Sequence, residues 1–203
     1  MLPEIVLVIV WVGVSAYGVF GGADFGAGMW DLVAGGPGRG AGPRRLIEKV
    51  IGPVWEANHV WLIFVLVYLW TAFPEPFAAI ASTLWIPLMA AAFGIIFRGS
   101  GFAFRKWATT LRGARFFGAA FAGASVITPF FLGAVAGGVA SGRVPLGNAA
   151  GDPWTSWLNP TSLLGGAMAV VARAFLAAVL ITREAAVQGE DEMTEYFRLR
   201  ALA

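Results

Sequence analysis

Cysteine is absent from the 203 residues, histidine occurs once, at His59, and charged side chains make up only 13% of the chain. Without cysteine, disulfides, Fe–S clusters, thiolate-bound zinc and a cysteine nucleophile are excluded. With a single histidine, neither a bis-histidine haem nor a histidine-cluster metal site can be built from this chain alone. A soluble domain ordinarily carries about 25% charged residues to cover its surface. Here 58% of the residues are hydrophobic and the mean hydropathy is +0.74, so lipid is the natural solvent for most of the surface. Also missing are a phosphate-binding glycine loop, a dinucleotide fingerprint, a Gly-x-Ser-x-Gly turn and any metal-ligand spacing.

What the chain does have is apolar runs of membrane-spanning length. About 20 predominantly apolar residues cross the hydrocarbon core as a helix. Such runs fall at 5–23, 53–73, 77–97, 116–139 and 161–182, the last interrupted by Arg173. None alternates with period two, which argues against a transmembrane β-barrel. The expectation is an all-α polytopic bundle of about five helices over 1–203, a four-helix bundle plus a fifth. The start, Met1-Leu2-Pro3-Glu4, lacks the positive segment of a secretory signal, so the first helix is expected to be retained.

The basic residues set the orientation. All of the 14 except Arg143 and Arg173 fall in the segments after the first, third and fifth runs. With five spans these segments share one side, and the positive-inside rule places the N-terminus outside and the C-terminus in the cytoplasm. That asymmetry accounts for the pI near 9.4 without nucleic acid. Several tryptophans, Trp55 and Trp70 among them, lie near run ends, the half-wet zone indole prefers. Gly18, Gly22 and Gly26 share one face of the first helix, and Gly133 and Gly137 repeat the spacing in the fourth. Either these faces admit close helix contact, or they reflect only the abundance of glycine, 27 residues in all.

An ionisable group within a span costs about 2.5–3.5 kcal/mol on insertion scales and usually faces protein. Four stand out: Asp24, Glu56, His59 and Arg173. Asp24 either faces the interior or marks the frayed end of the first helix, and Asp31 follows it two turns along the same face. Glu56 and His59, three apart near the start of the second helix, share a face. A carboxylate and an imidazole in a half-dry site suit proton relay, and Asn58 adds an amide that can hold a water. Glu56 can equally be a first-turn acid behind Pro53, favoured by the helix dipole. His59 can equally be a hydrogen-bonded packing residue. Arg173 is expected to pair with a carboxylate, either Asp24, Glu56 or one on a neighbouring subunit.

The stretch Gly52-Pro53-Val54-Trp55-Glu56-Ala57-Asn58-His59-Val60-Trp61-Leu62-Ile63 resembles the signature of subunit II of cytochrome bd-type quinol oxidases. Gly22-Ala23-Asp24-Phe25-Gly26-Ala27-Gly28 resembles that family's glycine- and aspartate-rich end of helix 1. Phe97-Arg98-Gly99-Ser100-Gly101-Phe102 with Arg105 is similar to its basic segment after helix 3, and Leu158-Asn159-Pro160 to the entry of its helix 5. The resemblance implies a subunit of a bacterial plasma-membrane oxidase that oxidises quinol and reduces dioxygen. Haems b and d would belong to the haem-bearing subunit I, with none bound by this chain. In the family the acid at the position of Glu56 is associated with proton delivery from the cytoplasm, and Asp24, Trp55, Asn58 and Trp61 match motif positions. His59 stands where glutamine or glutamate is expected, and Arg173 where a small or polar residue is. Members are longer, with a second helical bundle, which leaves a fragment, a split gene product and a shortened variant all open. The rival readings are a proton-coupled transporter or channel, which needs an inverted repeat or a broken midplane helix, and a purely structural membrane partner.

Overall fold

In the computed structural model, residues 2–36, 38–105, 107 and 110–202 are described, apart from the side chains at 51–53, 55, 56, 105, 111 and 114. The described residues form seven helices: α1 (Leu2–Val33), α2 (Ala41–Ala72), α3 (Pro74–Thr83), α4 (Trp85–Arg105), α5 (Leu111–Ala140), α6 (Pro160–Val187) and α7 (Asp191–Leu202). α1, α4, α5 and α6 are each long and apolar enough to cross a membrane, and α2 with α3 adds a fifth candidate, bent by 116°. Large apolar side chains point outward rather than in: Trp11, Ile63, Phe116 and Leu164 are all more than half exposed. That inversion of the soluble pattern is what an all-α membrane bundle requires.

Local chemistry explains where the helices begin and end. Thr110 caps α5 by accepting from the Gly113 amide at 3.1 Å, and Asn159 caps α6 by accepting from the Ser162 amide at 3.0 Å, with Pro160 in the first turn. Phe73 leaves helical geometry (φ −133°, ψ 60°) because the next residue is Pro74. The stretch 77–97 is not one helix. Pro87 has no N–H to offer the Thr83 carbonyl, and its ring crowds that carbonyl. The chain breaks at Leu84 and restarts at Trp85. Pro129, by contrast, sits inside the continuous α5. In the α5–α6 connection, the Asp152 carboxylate accepts from the Thr155 and Trp154 amides and the Thr155 hydroxyl, which holds it below the usual carboxylate range.

Small residues let the long helices approach closely. A Cβ at Gly22 would meet Leu176, and one at Gly26 would run into the Arg173 carbonyl and Ala177 of α6. On the other side of α6, Gly133 and Gly137 of α5 face Gly165 and Ser162. Gly18 faces open space, so only two members of the α1 glycine row serve contact. α6 therefore lies between α1 and α5, while α4 packs along α5 and α2 along α1. At one end, Leu46 and Ile47 of α2, Phe121 of α5, Ile181 and Ala185 of α6, and Met193 and Phe197 of α7 form a buried apolar cluster. Phe197 is fully buried there and holds the short polar α7 to the bundle.

Candidate functional site

α1 runs unbroken through the glycine segment to Val33, so Asp24 lies inside a helix rather than at a frayed end. Its side chain is fully buried. The surrounding glycines leave room for groups from two other helices to converge on it. From α4, Arg98 donates through Nη2 to Asp24 Oδ1 at 2.5 Å and to the Asp24 carbonyl at 2.6 Å. From α2, Asn58 Nδ2 donates to Asp24 Oδ2 at 3.3 Å. Arg98 also donates to Ser125 Oγ of α5 at 3.4 Å, and its guanidinium lies 4.8 Å from the Phe25 ring centre and 4.5 Å from that of Phe121. The ion pair is almost completely shielded, with Arg98 at 2% exposure. Buried ions persist only when paired and hydrogen-bonded, and this pair is both.

Arg173 enters the same region from α6, but it does not take Asp24. Its guanidinium lies 5.4 Å from the Tyr17 ring centre and 5.3 Å from that of Phe25, on the aromatic faces that attract a cation. Phe25 thus neighbours both guanidinium groups. Of the partners open to Arg173, namely Asp24, Glu56 or a carboxylate on a neighbouring subunit, Asp24 is engaged by Arg98. Arg98 reaches Asp24 end-on from α4, whereas Arg173 lies over Gly21, one turn earlier on α1. A second ion pair, Arg44 to Asp31 at 2.7 Å, pins the start of α2 to the end of α1, and Arg44 also donates to the Gly35 carbonyl at 2.6 Å.

Of the residues singled out in the sequence, Asp24 and Asn58 are in direct contact, Gly22 and Gly26 line the α1–α6 seam, and Arg173 borders the cluster. His59 is half-buried next to Asn58 in α2. Trp61 is also half-buried and packs edge-on against Phe64 at 5.8 Å. The side chains of Glu56 and Trp55 lie outside the described residues. Arg98, Tyr17 and Ser125 escaped the sequence reading. The apolar run 77–97 ends at Phe97, and Arg98 reads from the sequence as a flanking charge. The uncharged run Gly99–Phe104 beyond it carried the missed signal, since it extends the span and makes Arg98 an internal charge. Among the described residues, no three His, Asp or Glu side chains come together as metal ligands would.

A family model described as "Cytochrome bd terminal oxidase subunit II" matches residues 2–203. The cytochrome bd ubiquinol oxidase subunit 2 of Bacillus subtilis (strain 168) is 35% identical over 118 residues, 55% of this chain and 32% of that protein. The cytochrome bd-I ubiquinol oxidase subunit 2 of Escherichia coli (strain K12) is 33% identical over 111 residues, 52% of this chain and 28% of that protein. The chain therefore aligns with about a third or less of the length of these relatives.

Proposed function

The chain belongs to the cytochrome bd terminal oxidase subunit II family, and on that premise we propose that it is the haem-free subunit of a bacterial quinol:oxygen oxidoreductase. In this reading it supports a haem-bearing subunit I in the plasma membrane and helps bring protons from the cytoplasm to it. The supporting observation is the Asp24–Asn58–Arg98 cluster, a charged, hydrogen-bonded centre sealed inside an apolar bundle. Its donor set does not suit haem iron. An aspartate already bound by a guanidinium and an amide offers no axial ligand, and the single histidine, His59, has no second histidine in this chain. Haems b and d and the quinol site are accordingly assigned to the partner, where they supply the electron transfer.

Within this chain, the roles divide by chemistry. Asp24 is held by Arg98 on one oxygen and Asn58 on the other, so it acts as a fixed charge. Asn58 is thereby oriented, with its amide nitrogen committed to Asp24. The mobile proton carriers are Glu56 and His59, two and one residues from Asn58 in the sequence of α2. The acid opens toward the cytoplasm if the N-terminus of α1 is outside, as the basic segments imply. The broken-helix feature that a transporter would need gives little support to that rival. The break at Leu84 leaves α4 itself long enough to span.

The test is Glu56→Gln in the assembled complex. We expect oxygen consumption to fall by about 10²-fold, the low end for loss of a proton-transfer group, with haem content and subunit stoichiometry normal. Unchanged turnover would remove the relay and leave a structural subunit.

A further inference from the structure

Besides Arg98 Nε, three buried side-chain atoms near the charged cluster have no hydrogen-bond partner among the described residues: Arg173 Nη1, Asn58 Oδ1 and Tyr17 Oη. Asn58 is 1% exposed and Arg173 8%, so bulk water does not satisfy them. Arg173 Nη1 and Asn58 Oδ1 crowd the same point, since both lie within hydrogen-bond reach of where a Gly21 Cβ would stand. No more than two hydrogen-bond lengths therefore separate them, yet they are not bonded to each other. Within that limit one water can bridge the two atoms. Tyr17 stands one turn before Gly21 on the same face of α1, and its ring walls the notch beneath the Arg173 guanidinium.

The chemistry of the two atoms selects the occupant. Arg173 Nη1 is a donor. Asn58 presents its oxygen because its nitrogen donates to Asp24 Oδ2, and turning the amide over would set oxygen against carboxylate. The bridging group must therefore accept on one side and donate on the other. A chloride or carboxylate accepts but cannot donate, whereas a water does both. Leaving either atom bare carries its full desolvation penalty, larger for the charged one, so each calls for a partner. Gly21 is required here, because a Cβ would run into Arg173 Nη1 and any side chain would push the guanidinium aside.

We propose that the notch over Gly21 is an internal water-binding site, in which one water accepts from Arg173 Nη1 and donates to Asn58 Oδ1, linking α6 to α2 across α1. The site carries polar, hydrated interior from Asp24 back to Tyr17, the middle of the 32-residue α1. It also gives Arg173 a role that needs no carboxylate. The site stands on its own geometry and does not depend on the oxidase reading.

The test is a density map of the intact membrane complex at a resolution that shows waters. One peak is expected at about 2.7–3.2 Å from both atoms. A direct Arg173–Asn58 hydrogen bond, a neighbouring carboxylate in the notch, or no density between the two atoms would overturn the proposal. Crystals grown in bromide add a further check, because an anomalous peak in the notch would identify an anion and also overturn it. As a second arm, Gly21→Ser and Gly21→Ala both push against the Arg173 guanidinium and displace the water, but only serine returns a hydroxyl to Arg173 and Asn58. The serine complex should have the higher melting midpoint, and an equal or higher midpoint for alanine would count against the site.

Discussion

Asp24 and Arg98 illustrate how much a single contact decides in a low-dielectric interior. Each is nearly inaccessible, and each meets the other's charge through a short, charge-assisted hydrogen bond. Removing one partner strands the other. Arg98→Met should therefore destabilise the bundle by about 3–5 kcal/mol, the usual result of breaking a buried pair from one side. Adding Asp24→Asn should recover part of that loss. Melting of the purified complex, or its yield in membranes, reads both, and a single mutant that assembles like the wild type would show that the pair is dispensable. At this scale the sequence was half legible. The sequence leaves Asp24 either an interior group or a frayed end and offers Asn58 as an amide that can hold a water, but it hides Arg98, because an arginine after an apolar run reads as the run's end. Only three-dimensional packing tells a flanking charge from an internal one when small residues such as Gly94 and Gly101 let a neighbouring helix reach the backbone on either side of it.

The apolar runs lie in helices, because in lipid a backbone must satisfy its own hydrogen bonds and a helix does so within one segment, but α1 continues past 23 and α2 begins at Ala41 rather than at 53. Lengths and breaks were harder to read. α1 extends past Asp24 to Val33 because its glycines are not breakers when a neighbouring helix packs on them, and α3 separates from α4 because Pro87 removes one backbone donor. The spacing of glycines gave a face but not which members touch. Gly26 lies against the Arg173 carbonyl, whereas Gly18 has nothing near it. Gly26→Ala should therefore force α1 and α6 apart and cost about 1–3 kcal/mol, typical of overpacking. Gly18→Ala should be neutral or slightly stabilising, since alanine favours the helix. Equal melting midpoints for the two variants would mean that the α1–α6 seam is looser than described.

For the whole molecule, the arrangement of charge makes a topological claim that the absence of cysteine makes easy to test. Leu146, exposed in the α5–α6 connection, should lie outside the cell, and Leu202, exposed at the end of α7, should lie inside. With Leu146→Cys, a membrane-impermeant maleimide should label intact cells. Leu202→Cys should label only after permeabilisation, and the reverse pattern would invert the bundle and move the opening of the Glu56 site to the other side. The overall class was legible from composition alone, because an apolar, charge-poor chain has few ways to be stable outside lipid. Which partner covers its exposed apolar flanks was not, because lipid and a second membrane subunit present the same apolar chemistry. The proposed function has this chain, itself without haem, work within a haem-bearing oxidase. The most direct measurement is the reduced-minus-oxidised visible spectrum of the tagged chain, purified gently from its native membranes with its co-purifying proteins identified. Bands of haem b and haem d are expected to accompany a second subunit and to leave with it when the two are separated. A colourless preparation without a partner would contradict it.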